Sequence, residues 1–573
     1  VIDLGPITVS GGGFGAGFPG DGNVTFGINS KNQIAFARTV SGKMRAHVFL
    51  PSPDYGLDAG VHDLHALGVA PENDPFFGEN DASIATDISD GGIVVGASGQ
   101  SFNPYSMSVA RIWRLDQATS SPLSVPTRSL QSSTITDGTA SAGVLSSVAH
   151  AVTDGVPGES GVTLRIVGEA WVDLCSGDDA DPYWGFTVTV PGGANPAVSQ
   201  MAAVRPRSDS HVAFATDVNT AGGLPVGWDA EPITELCPEC VTFCQPTQSC
   251  VQEEDPSTSE GLLWPGAGVA ASALGLLPSP TVPDLATRAI GINDAGQVVG
   301  GGWVFEEGDP GGCYGRAAFW AEASANETPI VLGHFMPDGQ EEDNSVALAI
   351  TEPDEDGCVT IAGINLTAIR GMIWRGDGTT FSAFDLESSR VPCDGLSPIE
   401  IRQAHDISDS RVLVGIGDKS NSPRAIAITA AADLTRDFVV DGTDLGVLLS
   451  YSPCSNCWTS SSCIWCDSLD AADLDGDGNP DCYQCVADLD CDGDIDSADL
   501  GLLLGQWGSG TAKIGECGIG DLLMSEMGAG LSIDDSLAAM GFSNFTAFAE
   551  WGAAASLSQL EAAALTLQAL MAP

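Results

Sequence analysis

Ala289-Ile-Gly-Ile-Asn-Asp-Ala-Gly-Gln-Val-Val-Gly300 decides the reading of this chain, because it recurs. Close echoes are Ala85-Thr-Asp-Ile-Ser-Asp-Gly-Gly-Ile-Val-Val-Gly96 and Ala404-His-Asp-Ile-Ser-Asp-Ser-Arg-Val-Leu-Val-Gly415. Thr25-Phe-Gly-Ile-Asn-Ser-Lys-Asn-Gln-Ile-Ala-Phe36 and Ala215-Thr-Asp-Val-Asn-Thr-Ala-Gly-Gly-Leu-Pro-Val-Gly227 fit the same frame. Weaker copies begin at Ala149 and Ala347, so units start at residues 25, 85, 149, 215, 289, 347 and 404. Self-similarity at a near-constant spacing marks an array of like structural units.

Each unit reads as the same short sheet. A strand runs into an Asn/Asp/Gly turn and a Val/Ile strand returns, which is a hairpin signature. A third strand ends in an aromatic residue, as in Ala110-Arg-Ile-Trp113, Gly261-Leu-Leu-Trp264, Ala317-Ala-Phe-Trp320 and Gly371-Met-Ile-Trp374. A fourth carries Leu-Gly or Asp-Leu: Asp63-Leu64, Ile330-Val-Leu-Gly333 and Asp385-Leu386. Four short antiparallel strands per unit make a propeller blade. The seventh unit has Ala425-Ile-Ala-Ile428 but no such fourth strand after it, whereas the chain opens with that type, Val1-Ile-Asp-Leu-Gly5. Residues 1–9 are therefore expected to complete the last blade and leave no raw edge. The reading is a mainly β, seven-bladed β-propeller over residues 1–430, closed by the N-terminal strand. An open solenoid or two β-sandwiches are the rival folds.

The repeats resemble the bacterial extracellular HAF repeats, named for a His-Ala-Phe triplet that is degenerate here, as in Ala46-His-Val-Phe49 and Ala317-Ala-Phe-Trp320. The resemblance implies export and a propeller-like fold, and no specific activity.

Composition narrows the function classes. The 573 residues carry 76 acidic and 21 basic side chains, a formal charge of −55. Neither nucleic acid nor an anionic membrane is bound through such a field. Hydrophobic residues make up 43%, enough for a core and against disorder. No stretch approaches the roughly 18 apolar residues of a membrane span. Of 16 cysteines, eight fall between Cys175 and Cys393 and eight between Cys454 and Cys517. That set points to an oxidising, extracellular setting. Val1 in place of a start methionine leads to the expectation of a removed export leader. An insertion at about 231–260 in blade four holds Cys237, Cys240, Cys244 and Cys250, for which disulfides are favoured over zinc.

After the repeats, residues 431–517 read as a disulfide-rich calcium-binding module. Asp488, Asp490, Asp492, Asp496 and Asp499 occupy positions 1, 3, 5, 9 and 12 of one loop, with Gly493 at the sharp bend and Asp494 offering a backbone carbonyl. This spacing wraps oxygens around one calcium ion. Asp473, Asp475, Asp477, Asn479, Asp481 and Gln484 repeat it. Asp433, Thr435, Asp437, Val439, Asp441 and Asp444 form a degraded copy with Phe438 at the bend. Two or three calcium ions are expected, because crowded carboxylates without a cation repel. The alternative is a solvated acidic cluster. The pairs Cys454/Cys457 and Cys463/Cys466 again favour disulfides over zinc.

Two loops running into Asp444-Leu-Gly-Val-Leu-Leu and Asp499-Leu-Gly-Leu-Leu-Leu resemble the dockerin type I module, and Asp477-Gly-Asn-Pro-Asp-Cys482 resembles a thrombospondin type 3 repeat. The resemblance implies calcium-dependent, EF-hand-like folding. Dockerins meet cohesin partners mainly through loop positions 10 and 11. Those are Gly442-Thr443 and Ser497-Ala498 here, not the frequent Ser-Thr type.

Residues 518–573 switch to Ala, Leu and Met. Ser532 and Ser558 start helices, the second with a capping box to Glu561. Leu560, Ala564, Leu567 and Met571 share one helical face that must pack on something, its own module or a neighbouring copy. No HExxH, GxSxG or P-loop is present, and the histidines (47, 62, 65, 150, 211, 334, 405) are scattered. These readings predict a secreted, non-enzymatic structural or adhesive protein. Its partners would be copies of itself, in a filament or on the cell surface, or a cell-surface protein, with glycans as a further class. The alternative is a carbohydrate-binding or polysaccharide-degrading propeller with a docking module.

Overall fold

The computed structural model describes residues 1–7, 26–67, 82–99, 108–120, 123–130, 134–136, 141–153, 163–173, 183–191, 201–204, 212–230, 259–264, 271–277, 286–305, 313–333, 345–354, 357–366, 369–386 and 399–428, with 445, 540, 542, 548, 551 and 563 beyond them. The seven units are seven sheets. The first pairs Gly27–Ile28, Ile34–Val40, Lys43–Leu50 and Gly60–Asp63 in order; the sixth pairs Ser345–Ile350, Val359–Asn365, Arg370–Gly376 and Phe381–Asp385. Blades two, four and five follow the same order. Blade three has longer strands, Ser141–Val152, Thr163–Asp173 and Tyr183–Pro191, and an extra strand Thr134–Thr136 that also bridges to Ala202. The first strand of each blade touches the first strand of the next, and that of the seventh touches that of the first. Seven innermost strands thus enclose one axis.

Ring closure follows the expectation from sequence. Blade seven pairs Glu400–Ile407, Leu413–Lys419 and Ser422–Ile428, and its fourth strand is the N-terminal Ile2–Pro6, antiparallel to the last. Ile2, Leu4 and Ile7 are buried against Val414, Ala425 and Phe36 of blades seven and one. The buried Asp3 carboxylate accepts from Arg424 Nε at 2.9 Å and lies 3.6 Å from Lys419 Nζ. Among the described residues, an apolar cluster straddles every one of the seven blade junctions. Burial of that surface is the main force holding the sheets together.

The repeated letters of the sequence each have a structural job. In blades two to seven the first strand bulges by one residue, after Ala85, Ala149, Ala215, Ala289, Ala347 and Ala404. The bulge brings a carbonyl against the second strand. A β-carbon at Gly300 would lie 1.9 Å from the Arg288 carbonyl oxygen, and one at Gly415 would lie 2.0 Å from that of Gln403. Only glycine clears that approach, which is why Val-Gly recurs. The third-strand tryptophans Trp264, Trp320 and Trp374 are fully buried. Trp320 Nε1 donates to the Gly275 carbonyl at 3.0 Å and Trp374 Nε1 donates to that of Gly333. Both acceptors are the Gly of a Leu-Gly pair in the preceding blade, so the two motifs that punctuate neighbouring units meet across their junction.

Candidate functional site in the channel

The sequence-predicted metal loops Asp433–Asp444, Asp473–Gln484 and Asp488–Asp499 lie outside the described residues, as do the cysteines from 237 to 250 and from 454 to 466. Leu445, Phe548 and Ala563 are helical and buried. Phe542, Phe548 and Trp551 form a ring cluster with centroids 5.0–5.5 Å apart. Among the described residues, no group of three or more His, Cys, Asp or Glu is placed to hold a metal ion.

The chemistry that the described residues concentrate is in the channel. Two places after the alanine that precedes each bulge, blades two, four and seven carry Asp87, Asp217 and Asp406. The other blades carry Gly27, Ala151, Gly291 and Ala349 there. One oxygen of each aspartate caps the next N–H of its own strand, at Ile88, Val218 or Ile407 (2.7–2.8 Å). The other accepts from the following blade: Val152 N at 2.8 Å, Ile292 N at 2.8 Å and Ile28 N at 2.9 Å. Thr86 and Thr216, one residue earlier, donate to the carbonyls of Ala149 and Ala289 in the same following blades. Thr-Asp therefore grips both polar groups of a neighbouring strand. The gripped strand needs a small residue alongside. Gly27 also faces an aspartate on its far side, where a β-carbon would stand 2.5 Å from Asp87 Oδ1.

A second ring of contacts joins the tight turns. Ser30 N donates to Asp90 Oδ1 (2.9 Å), Thr220 N to Asp294 Oδ1 (2.5 Å), Asp294 N to Glu352 Oε1, and Glu352 N to Asp409 Oδ1 (2.9 Å). The acid of each turn thus holds the backbone of the preceding turn. Between blades six and seven, Asp354 Oδ2 accepts from both Arg375 (2.6 Å) and Arg411 (2.9 Å).

Electrostatics in this interior favour neutral forms. Asp87 lies deep in the ring, and its carboxyl is pushed well above the ordinary carboxylate range by burial and then by the charge of Asp406. Burial pushes Asp217 up to about 6 against the pull of its two N–H donors. Both residues are half-buried. Burial, with Asp294 and Asp409 nearby, raises Glu352. His405, beside Asp406, is pulled down to about 4 by burial and packs on Phe26 at 5.2 Å. His150 Nε2 lies 3.5 Å from Glu169 Oε2, both side chains buried. On the side of blades four to six the bulge residues Ile290 and Leu348 pack with Phe214 and Trp228, and Arg288 stacks 4.9 Å over Trp228. Blade four therefore contributes both to this apolar cluster, through Phe214 and Trp228, and to the set of innermost-strand aspartates, through Asp217.

Reading the sequence for metal loops and catalytic motifs passes over Asp87, Asp217 and Asp406. The signal was present: when the repeats are aligned, one column holds aspartate in three copies and glycine or alanine in the rest.

No family model matches the chain, and no curated protein matches it in sequence. Solved structures with a similar arrangement include the two that follow. One is the β-propeller domain of the Trilobed protease from Pyrococcus furiosus, which has an open velcro topology. It shows 10% identity and a TM-score of 0.31, over 70% of this chain and 92% of that one. The other is a puromycin-hydrolyzing peptidase from Mycobacterium tuberculosis, with 12% identity and a TM-score of 0.33, over 75% of this chain and 55% of that one.

Proposed function

We propose that this chain is a secreted, non-enzymatic structural or adhesive protein. Its propeller is the rigid block, and its 431–517 segment is a calcium-binding module through which blocks join on a cell surface or in an extracellular filament. The observation that carries this reading is the use made of the acidic groups on the first strands of the blades and in the turns that follow them. Asp87, Asp217, Asp406, Asp90, Asp294 and Asp409 each accept hydrogen bonds from the backbone of a neighbouring blade. Groups so engaged fasten a ring; a general acid or base needs a lone pair or proton free for a substrate. The HAF-like and dockerin-like resemblances and the three Asp-rich loops support the same reading, and so does Cys358, which is disulfide-bonded as an oxidising compartment allows.

Calcium titration by calorimetry, followed by electron microscopy with and without a chelator, tests it. Two or three ions should bind per chain, and assemblies formed in calcium should disperse on chelation. Dispersed single particles at saturating calcium would remove the assembly role. Turnover of a polysaccharide by the intact chain would replace it with the enzymatic alternative.

A further inference from the structure

We infer that Arg411 and Asn32 form a two-sided lock that holds blade seven, the blade completed by the N-terminal strand, in the ring. Each sits in the tight turn between the first and second strands of its blade. Each is the fourth residue of that turn, and its N–H closes onto the carbonyl three residues back. The same place in blades two and five is Gly92 and Gly296. All four have positive φ: 65° at Arg411, 57° at Asn32, 78° at Gly92 and 80° at Gly296. Glycine takes that backbone freely, asparagine tolerates it, and arginine is strained in it. An arginine kept there calls for a compensating interaction.

The compensation is a bond to the preceding blade. Where the turn opens with asparagine, that residue reaches forward. Asn29 Nδ2 donates to the Ser89 carbonyl at 3.0 Å, Asn219 Nδ2 to that of Asn293 at 3.4 Å, and Asn293 Nδ2 to that of Thr351 at 2.9 Å. Blades six and seven open the turn with the shorter Thr351 and Ser408 instead, and Thr351 Oγ1 accepts from the Thr360 N–H of its own blade at 3.0 Å. At these two junctions the direction reverses. Arg411 reaches back from blade seven and donates to Asp354 Oδ2 of blade six at 2.9 Å, where Arg375 of blade six also donates. Asn32 reaches back from blade one, and its Oδ1 accepts from Ser408 and Ser410 of blade seven at 2.7 and 2.6 Å.

Blade seven is thereby fastened on both flanks, at the end of the ring where its first two strands turn. It is the blade that needs fastening. Its outer strand Ile2–Pro6 comes from the far end of the chain, whereas the outer strand of blade six, Phe381–Asp385, follows its third strand directly. A strand held by pairing and packing alone leaves a raw edge whenever it lifts. The lock sets the inner strands of blade seven firmly between blades six and one, so the seam of the ring opens less often.

Hydrogen exchange of the full chain, read by mass spectrometry, tests the lock. Arg411→Gly and Asn32→Gly should each speed exchange in Glu400–Ile407 and Leu413–Lys419 by about tenfold, and change Ala82–Ile88 and Ile93–Gly99 of blade two by less than about twofold. Glycine relieves the backbone strain, so a residue that is merely tolerated there would give unchanged or slower exchange in blade seven, and that result would overturn the inference. An equal speed-up in blades two and seven would overturn it too, since the loss would then belong to the whole fold. Arg411→Asn suits the same backbone but lacks the reach to Asp354, and it should match Arg411→Gly; protection equal to the wild type's would contradict the lock. Ser41→Gly, at an exposed left-handed site (φ 53°), measures strain relief alone and should leave blade seven no faster than in the wild type. A speed-up there equal to that of Arg411→Gly would count against the lock.

Discussion

Two kinds of blade junction share one backbone. At junctions two–three and four–five, a Thr on the bulge and the Asp after it grip the next strand through side-chain hydrogen bonds. At junction five–six, the bulges present Ile290 and Leu348, and no Asp follows them; both join an apolar cluster that also reaches back to Phe214 and Trp228 of blade four and includes Ile364. There the polar joining is done at the turn, where Asn293 Nδ2 donates to the Thr351 carbonyl at 2.9 Å. The difference teaches that the bulge, and not the residue on it, is what blades two to seven share. What the bulge and the residue after it carry can be a Thr-Asp grip or an apolar plug, and the two are expected to differ in their response to pH.

Breaking what the two kinds share should cost most. Gly300→Val drives a branched side chain into the Arg288 carbonyl, and the strand pairing cannot survive there; we expect about 4 kcal/mol or more, read as loss of the cooperative melting transition. Next come substitutions that separate the two kinds. Leu348→Ala should cost about 2–4 kcal/mol by chemical denaturation, with no dependence on pH between 5 and 7.5. Asp217→Ala leaves the Ile292 and Val218 N–H groups without their acceptor, at about 1–3 kcal/mol, offset by removal of a buried charge. Its effect should therefore be larger at pH 5 than at pH 7.5. Equal pH responses of these two variants would erase the distinction between the junctions. Smallest is Lys31→Ala. Its 3.4 Å ion pair with Asp54 is substantially exposed, so the loss should stay within about 0.5 kcal/mol and shrink further in salt.

Much of the ring was legible in the sequence because its units are local. Hairpin turns, Val-Gly returns and third-strand aromatics are short-range features, and seven copies average out the noise of any one. The N-terminal strand was found by subtraction, since the seventh unit lacks a fourth strand that Val1-Ile-Asp-Leu-Gly5 supplies. Blade three was less legible, because its twelve-residue first strand and its extra strand Thr134–Thr136 have no counterpart in the repeat. The channel aspartates were harder still. A single Asp in so acidic a chain carries no information, and its meaning comes from the axis on which three distant strands converge. The predicted calcium ligands from Asp433 to Asp499 rest on spacing alone.

The closing strand tests the account most directly. A chain lacking residues 1–7 exposes the edge of Ser422–Ile428 and uncovers Phe36 and Val414. The full chain and the shortened one are melted side by side, each with and without a synthetic Val1–Ile7 peptide. We predict that the shortened chain loses its cooperative transition and that the peptide restores it. A shortened chain that melts like the full one, indifferent to the peptide, would contradict a ring held shut by its own first strand.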